Sequence, residues 1–149
     1  MEELENNFES TSNASESIDL KADISSAIVD LYYLSESDEP FEYVEFDLST
    51  ETPLLVGDVL DVLQKNETEV TEELSFEDFV DPLCEVLDWY GDDEKMMATR
   101  FLNLKNYLLA HLSDIQVFRI GEFRVEIYAV GKTTDCTKWV GVKTVSIET

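Results

Sequence analysis

Residues 115–147 of the chain read IQVFRIGEFRVEIYAVGKTTDCTKWVGVKTVSI, and this stretch decides the fold. It contains three runs that are rich in β-branched and aromatic residues, as strands are: 115–120, 123–130 and 139–147. Gly121-Glu122 separates the first two runs, and glycine at the first of two turn positions is typical of a type II′ hairpin. The stretch therefore predicts a hairpin, a loop over residues 131–137 and a third strand.

The N-terminal half shows helical spacing first and strand composition after it. Apolar residues at helical spacing predict a helix over residues 18–34, with the stripe Leu20, Ile24, Ile28, Leu31 and Leu34. Pro40 ends this region, because a proline moves the residue before it out of helical geometry. Residues 41–48 are rich in aromatic and β-branched residues and predict a strand, and a short strand is possible around Val70.

Three further helices are predicted, and each has a start signal. Pro53 suits the first position of a helix, and Ser75 begins a motif that resembles a capping box and opens a short helix ending near Pro82. Acidic residues from Asp92 favour the start of a long helix that runs to about Leu112, because the helix dipole stabilises negative charge there. Helices around an antiparallel sheet predict an α+β layered domain.

The length of 149 residues corresponds to about one domain. Residues 1–17 contain five Glu and no Lys or Arg, and such a like-charged, apolar-poor segment predicts a disordered acidic tail. Residues 18–149 then form a single domain. No run approaches the roughly 18 apolar residues of a membrane-spanning helix, and the N-terminus has no signal-peptide pattern. We therefore expect a cytoplasmic protein that is monomeric when free.

The net charge of −24 is unusual, and it is unevenly distributed along the chain. Residues 1–100 carry 29 acids and four bases, whereas residues 101–149 carry five acids and six bases. A phosphate-binding surface needs positive charge, so the composition argues against binding to nucleic acid or to anionic membranes. The acidity serves solubility, or it forms a surface for a partner that itself binds nucleic acid.

Motifs of enzymes and metal sites are missing from the sequence. The single histidine, His111, lies near the end of a predicted helix, which is an ordinary structural place for it. The acidic clusters at residues 35–39 and 92–94 do not have the ligand pattern of a calcium-binding loop. Cys84 and Cys136 lack metal-site spacing and are expected to be reduced. We predict neither catalysis nor a cofactor in the free protein.

Two features favour partner binding. Trp89 lies in a predicted loop, residues 83–91, beside Asp88 and Tyr90, and a loop aromatic among polar residues is a typical binding anchor. The alternative is that the Trp89 ring folds back over the core. The predicted last strand continues to Ile147, so Thr149 should be held near the sheet, whereas chain ends usually fray.

Five short segments, taken in order, resemble the nuclease A inhibitor-like family of small acidic cytoplasmic inhibitors of cyanobacterial sugar-non-specific nucleases. They are LSESDEPFE at 34–42, DWY at 88–90, QVFRIGE at 116–122, YAVG at 128–131 and ET at 148–149. The similarity covers residues 20–48 and 75–149. The N-terminal tail, residues 49–74 and the loop around Asp135-Cys136 depart from the family pattern.

The resemblance implies a three-layer α-β-α sandwich with a mainly antiparallel sheet, similar to the pathogenesis-related type 1 fold. It also implies that the protein plugs the active site of a ββα-metal nuclease. In that mechanism Glu36 pairs with a nuclease arginine, and Asp88 and Trp89 form a second anchor. Thr149 reaches the Mg²⁺ of the nuclease, so the only metal belongs to the partner. Oxygen ligands suit Mg²⁺.

Two function classes therefore stay open on the sequence. The first is an inhibitor of a sugar-non-specific DNA/RNA endonuclease, with Glu36, Asp88, Trp89 and Thr149 as its partner-binding residues. The second is an acidic interaction module or adaptor that has the same fold and no nuclease target. Thr149 discriminates between them, because only the inhibitor mechanism requires this residue to be ordered and accessible.

Overall fold

A computed structural model describes residues 19–48 and 53–149. Four helices and seven strands follow one another in this part of the chain. They are α1 (Leu20–Ala27), β1 (Tyr32–Leu34), β2 (Asp38–Pro40), β3 (Glu42–Phe46), α2 (Val56–Val62), β4 (Thr71–Ser75), α3 (Phe76–Cys84), α4 (Asp92–His111), β5 (Ser113–Ile120), β6 (Arg124–Lys132) and β7 (Trp139–Ile147). The predicted disordered tail, residues 1–17, lies outside the described residues.

Five of the strands form one open antiparallel sheet in the order β3-β7-β6-β5-β4. The three strands predicted from residues 115–147 are its centre, and β7 lies between β3 and β6. The other two strands, β1 and β2, pair only with each other, and Leu34 lies opposite Asp38. This small hairpin is tied to the sheet, because the Thr144 hydroxyl donates to the Pro40 carbonyl at 2.9 Å.

The sheet carries one apolar core on each face, because successive side chains of a strand point to opposite sides. In β6, Ile127 and Ala129 belong to the core beneath α1, α3 and α4, whereas Tyr128 and Val130 belong to the core beneath α2. Trp139, which is fully buried, lies in the second core. The result is a three-layer α-β-α sandwich, which confirms the predicted fold class.

Local sequence signals explain how the helices begin. Asp19 accepts a hydrogen bond from the Ala22 amide and caps α1, and the Ser75 hydroxyl accepts one from Asp78 at the start of α3. At α4, the Gly91 amide donates to the Glu94 carboxylate at 2.9 Å. The starts of α3 and α4 therefore agree with the prediction from the sequence.

Several predicted helix boundaries differ from the structure, and the helix expected to have Pro53 at its first position begins at Val56. The helix expected over residues 18–34 ends at Ala27, where Arg100 of α4 donates to the Ala27 carbonyl, and Asp30 then adopts a positive φ of 61°. Residues 28–30 form a turn, and the segment ends in β1, Tyr32–Leu34. The short helix also continues past Pro82 to Cys84.

The predicted two-residue turn at Gly121-Glu122 is also wrong, although the hairpin itself is correct. A two-residue turn would pair Ile120 with Phe123, but Ile120 pairs with Glu126. The wider turn leaves the Phe123 carbonyl available to accept from the Glu148 amide at 2.8 Å. Gly121 has a φ of 122°, and a Cβ there would lie 2.4 Å from the Arg124 carbonyl oxygen, so a larger residue would not fit.

Candidate partner-binding site

The tip of the β1–β2 hairpin lies against the last residues of the chain. Ser35, Glu36 and Ser37 connect the two strands, and the Ser35 amide donates to the Ser37 carbonyl to close the turn. The Ser35 hydroxyl accepts from the Ile147 amide at 2.9 Å. The hairpin thereby places Glu36 beside Thr149, although Glu36 and Thr149 are 113 positions apart in the sequence.

Glu36 and Thr149 are joined by two hydrogen bonds. The Thr149 amide donates to Oε2 of Glu36 at 3.0 Å, and the Thr149 hydroxyl donates to Oε1 at 2.6 Å. The hydroxyl bond, followed by the amide bond, holds the pKa of the exposed Glu36 carboxyl below its ordinary value. Two of the four predicted partner-binding residues therefore contact each other directly.

The residue before Thr149 is fixed by an arginine of β5. The Arg119 guanidinium donates to the Glu148 carboxylate at 2.6 Å and also pairs with Glu72 at 3.1 Å. The Ser146 hydroxyl donates to the same Glu148 carboxylate at 2.7 Å. The Arg119 bond, followed by the Ser146 bond, lowers the pKa of Glu148 and keeps this carboxylate charged.

The loop between α3 and α4 carries the other two predicted residues. Asp88 is exposed, and the Trp89 side chain is 71% exposed and belongs to neither core. The Trp89 ring rests edge-on against Tyr90, with 4.7 Å between the ring centroids. The alternative that Trp89 folds back over the core is therefore wrong.

The loop and the hairpin do not share a hydrogen bond among those found between described residues, but they border the same groove. Leu34 at the end of β1 and Tyr90 beside Trp89 both line it. Leu34 is two residues from Glu36, and Tyr90 contacts the Trp89 ring. The groove is thus lined by residues close in sequence to both predicted sites, although none of the four predicted residues lines it.

The remaining chemical candidates have structural roles or show no assembled site. His111 is half-buried against the ring of Tyr107, with centroids 4.3 Å apart. Cys84 is half-buried, and burial raises the pKa of its thiol; neither it nor the exposed Cys136 forms a disulfide. Within residues 19–48 and 53–149, His, Cys, Asp and Glu form no group of three or more that could hold a metal ion.

Arg119 and Ser35 are the residues that sequence reasoning missed. Both occur inside the segments that resemble the family, but the sequence analysis gave neither a role of its own. One signal for Arg119 was available, since it is a charged residue between Phe118 and Ile120 in an apolar strand. Such a residue needs a partner, and its side chain is only 17% exposed.

Comparison with known protein families gives a match to the family described as nuclease A inhibitor-like protein, over residues 19–149. The chain belongs to this family. The match continues through residues 49–74, which the sequence analysis had left outside the resemblance. Comparison with individual curated proteins gives no significant match. Family membership implies a role as a nuclease inhibitor and a nuclease as partner, in general terms.

No helix in the described part of the chain combines the length and the apolar character needed to cross a membrane.

Proposed function

We propose that this protein inhibits a sugar-non-specific DNA/RNA endonuclease of the ββα-metal class by plugging its active site. The observation that carries the proposal is the Glu36–Thr149 pair, which puts a carboxylate and a threonine hydroxyl at one exposed point. Bonds from Ser35, Arg119 and Phe123 hold this point to the sheet. A site ordered before binding loses little conformational entropy when the complex forms.

Glu36 is suited to receive a nuclease arginine in this mechanism. A carboxylate offers about four acceptor positions, and Thr149 uses two of them. The remaining positions are available to a guanidinium, and the lowered pKa keeps Glu36 charged. A cleft that is built to bind phosphates is basic, so the net charge of −24 complements it.

Thr149 supplies the contact to the metal ion of the nuclease. Its hydroxyl oxygen is a hard donor of the kind that Mg²⁺ prefers. The described residues hold no metal-binding group of their own, so the other ligands would come from the nuclease and from water. In this mechanism the protein acts by occupying the cleft, and it needs neither a cofactor nor an enzymatic activity of its own.

Asp88 and Trp89 form the second anchor. The Trp89 ring is exposed before binding and is braced by Tyr90, so it can enter a pocket of the nuclease without rearrangement. Asp88 adds a carboxylate next to this ring for a basic group at the pocket rim. We place the inhibitor in the cytoplasm, as a monomer until it meets its target.

The test is a cleavage assay with a cyanobacterial sugar-non-specific nuclease of this class. Equimolar full-length protein should suppress cleavage of both DNA and RNA on a gel. Glu36→Ala should weaken the suppression, whereas Glu42→Ala, which removes a carboxylate from strand β3, should not. Unimpeded cleavage at a large molar excess of the folded protein would contradict the proposal.

A further inference from the structure

An apolar groove runs between the β1–β2 hairpin and the Trp89 loop. The hairpin contributes Tyr32 and Leu34, the loop contributes Tyr90, and α4 contributes Met97 and Phe101. The groove has a volume of about 180 Å³ and is open to solvent. Apolar side chains therefore line a concave surface that includes Leu34, near Glu36 in the sequence, and Tyr90, next to Trp89.

The alternation of side-chain direction along β1 explains why this surface is exposed. Tyr33 points inward and stacks on Phe79, with ring centroids 5.9 Å apart. Its neighbours Tyr32 and Leu34 must then point to the other side of the strand, which is the groove. Leu34 remains 64% exposed. An exposed apolar surface next to polar anchors is typical of a protein–protein contact.

The size of the groove limits what can fill it. Pockets for small-molecule ligands usually measure roughly 300–1,000 Å³, which is larger than this groove. A cavity of roughly 150 Å³ accepts a benzene ring. The groove therefore fits one large apolar side chain, such as Phe, Leu or Met.

The charges around the groove indicate where that side chain comes from. A second copy of this chain would also carry a charge of −24, so self-association would bring two strongly acidic molecules together. Glu94 is the one charged residue among the described residues that line the groove. Its carboxylate is fixed by the Gly91 amide and keeps acceptor positions for a cation.

We propose that the groove receives one large apolar side chain from a basic loop of the same nuclease, with a flanking Lys or Arg at Glu94. This inference rests on the proposed function, because Leu34 and Tyr90, which line the groove, are close in sequence to the two proposed anchors. It adds an apolar contact to those of the two proposed anchors. The centre of an interface is where buried apolar contacts contribute most to affinity.

The test compares two leucines of nearly equal exposure. Leu34 in the groove is 64% exposed, and Leu55 before α2, on the opposite face of the sheet, is 61% exposed. In an inhibition assay with a cyanobacterial sugar-non-specific nuclease, Leu34→Ser should raise the inhibition constant about tenfold. Leu55→Ser should change it by no more than about twofold. Equal effects of the two substitutions would overturn the proposal.

A second measurement does not depend on a substitution. With ¹³C-methyl-labelled methionine, the Met97 signal reports on the groove directly, because Met97 lines it. Adding the nuclease should shift or broaden this signal in the full-length protein. An unchanged Met97 signal in the inhibited complex would contradict the proposal. The proposal would also be contradicted if the free protein formed a dimer at higher concentration and the same Met97 signal shifted.

Failure of this inference can be told apart from failure of the proposed function by including Glu36→Ala in the same assay. If Glu36→Ala weakens inhibition and Leu34→Ser does not, the groove proposal is wrong and the inhibitory site stands. If the unaltered protein does not inhibit the nuclease, both proposals are wrong. If both substitutions weaken inhibition and Leu55→Ser does not, both are supported.

Discussion

The contact between Glu36 and Thr149 combines two residues that neither local pattern nor spacing would bring together. Each alone is an exposed polar residue on a loop or a chain end, with nothing to distinguish it. Together they present carboxylate and hydroxyl oxygens from a backbone that is anchored on both sides. The proposed inhibition therefore depends on geometry that arises from long-range pairing.

The pKa of Glu36 provides a test of this pair. It is lower in the folded protein than its ordinary value of 4.5, because Thr149 donates two hydrogen bonds to the charged form. The stabilisation is therefore complete above pH 4.5 and is lost as the pH falls through the folded pKa. Carboxyl NMR titration should show a depressed Glu36 pKa that returns towards 4.5 in Thr149→Ala. A Glu36 pKa that this substitution leaves unchanged would count against the contact.

Arg119 should act as a positioning residue for the chain end. Arg119→Gln removes the bond to Glu148, and a loss of about 1 kcal/mol at this partly buried pair should raise the inhibition constant roughly fivefold. Arg119→Lys should restore part of the loss. Arg124→Gln is the matched control, because the Arg124 side chain pairs with Glu126 of its own strand, β6. Equal losses for both Gln variants would argue against a specific role.

At the scale of elements, the loop of residues 85–91 should tolerate change without loss of the fold. Trp89→Ala should weaken inhibition and leave the melting temperature nearly unchanged, because Trp89 is 71% exposed. Trp139→Ala is the contrasting variant, because Trp139 is fully buried and its loss should cost roughly 3–5 kcal/mol of unfolding free energy. Calorimetry of the two variants checks this. A large drop in melting temperature for Trp89→Ala would assign the ring to structure.

The elements differ in how well the sequence predicts them, and the reasons are physical. The strands of residues 115–147 were predictable, because alternation and β-branched composition agree along the whole stretch. The helix over residues 18–34 was predicted too long. Leu31 is buried and Leu34 lines the groove, so both follow the apolar pattern, but neither lies in a helix. The spacing of apolar residues indicates which residues contact apolar surface, but it does not fix their secondary structure. A short hairpin can make the same contacts as a helix.

The arrangement of the candidate site was less accessible to sequence reasoning. The resemblance to the family named its four residues, but the contact between Glu36 and Thr149 depends on where the β1–β2 hairpin docks. That docking involves Thr144 and Ser35, whose hydrogen bonds span more than 100 positions. The groove could not be predicted, because residues of three separate helical and strand elements and a loop line it.

At the scale of the whole molecule, the acidic charge should act mainly on the rate of association. A net charge of −24 attracts a basic cleft from a distance, and salt screens this attraction beyond about 8–10 Å. Stopped-flow measurements should show an association rate that falls steeply with salt, while the dissociation rate changes little. Deleting residues 1–17, which carry five Glu, should slow association at low salt and leave inhibition intact at equilibrium. Abolished inhibition would instead make the tail a binding element.

The central claim is that the last residue engages the metal of the nuclease, and calorimetric titration tests it most directly. The nuclease should be titrated in the presence and absence of Mg²⁺ with the full chain, with a variant lacking Thr149 and with a variant lacking Met1. We predict that Mg²⁺ strengthens binding of the full chain and of the Met1 deletion, and that this dependence on metal disappears without Thr149. Equal dependence on Mg²⁺ with and without Thr149 would contradict the account.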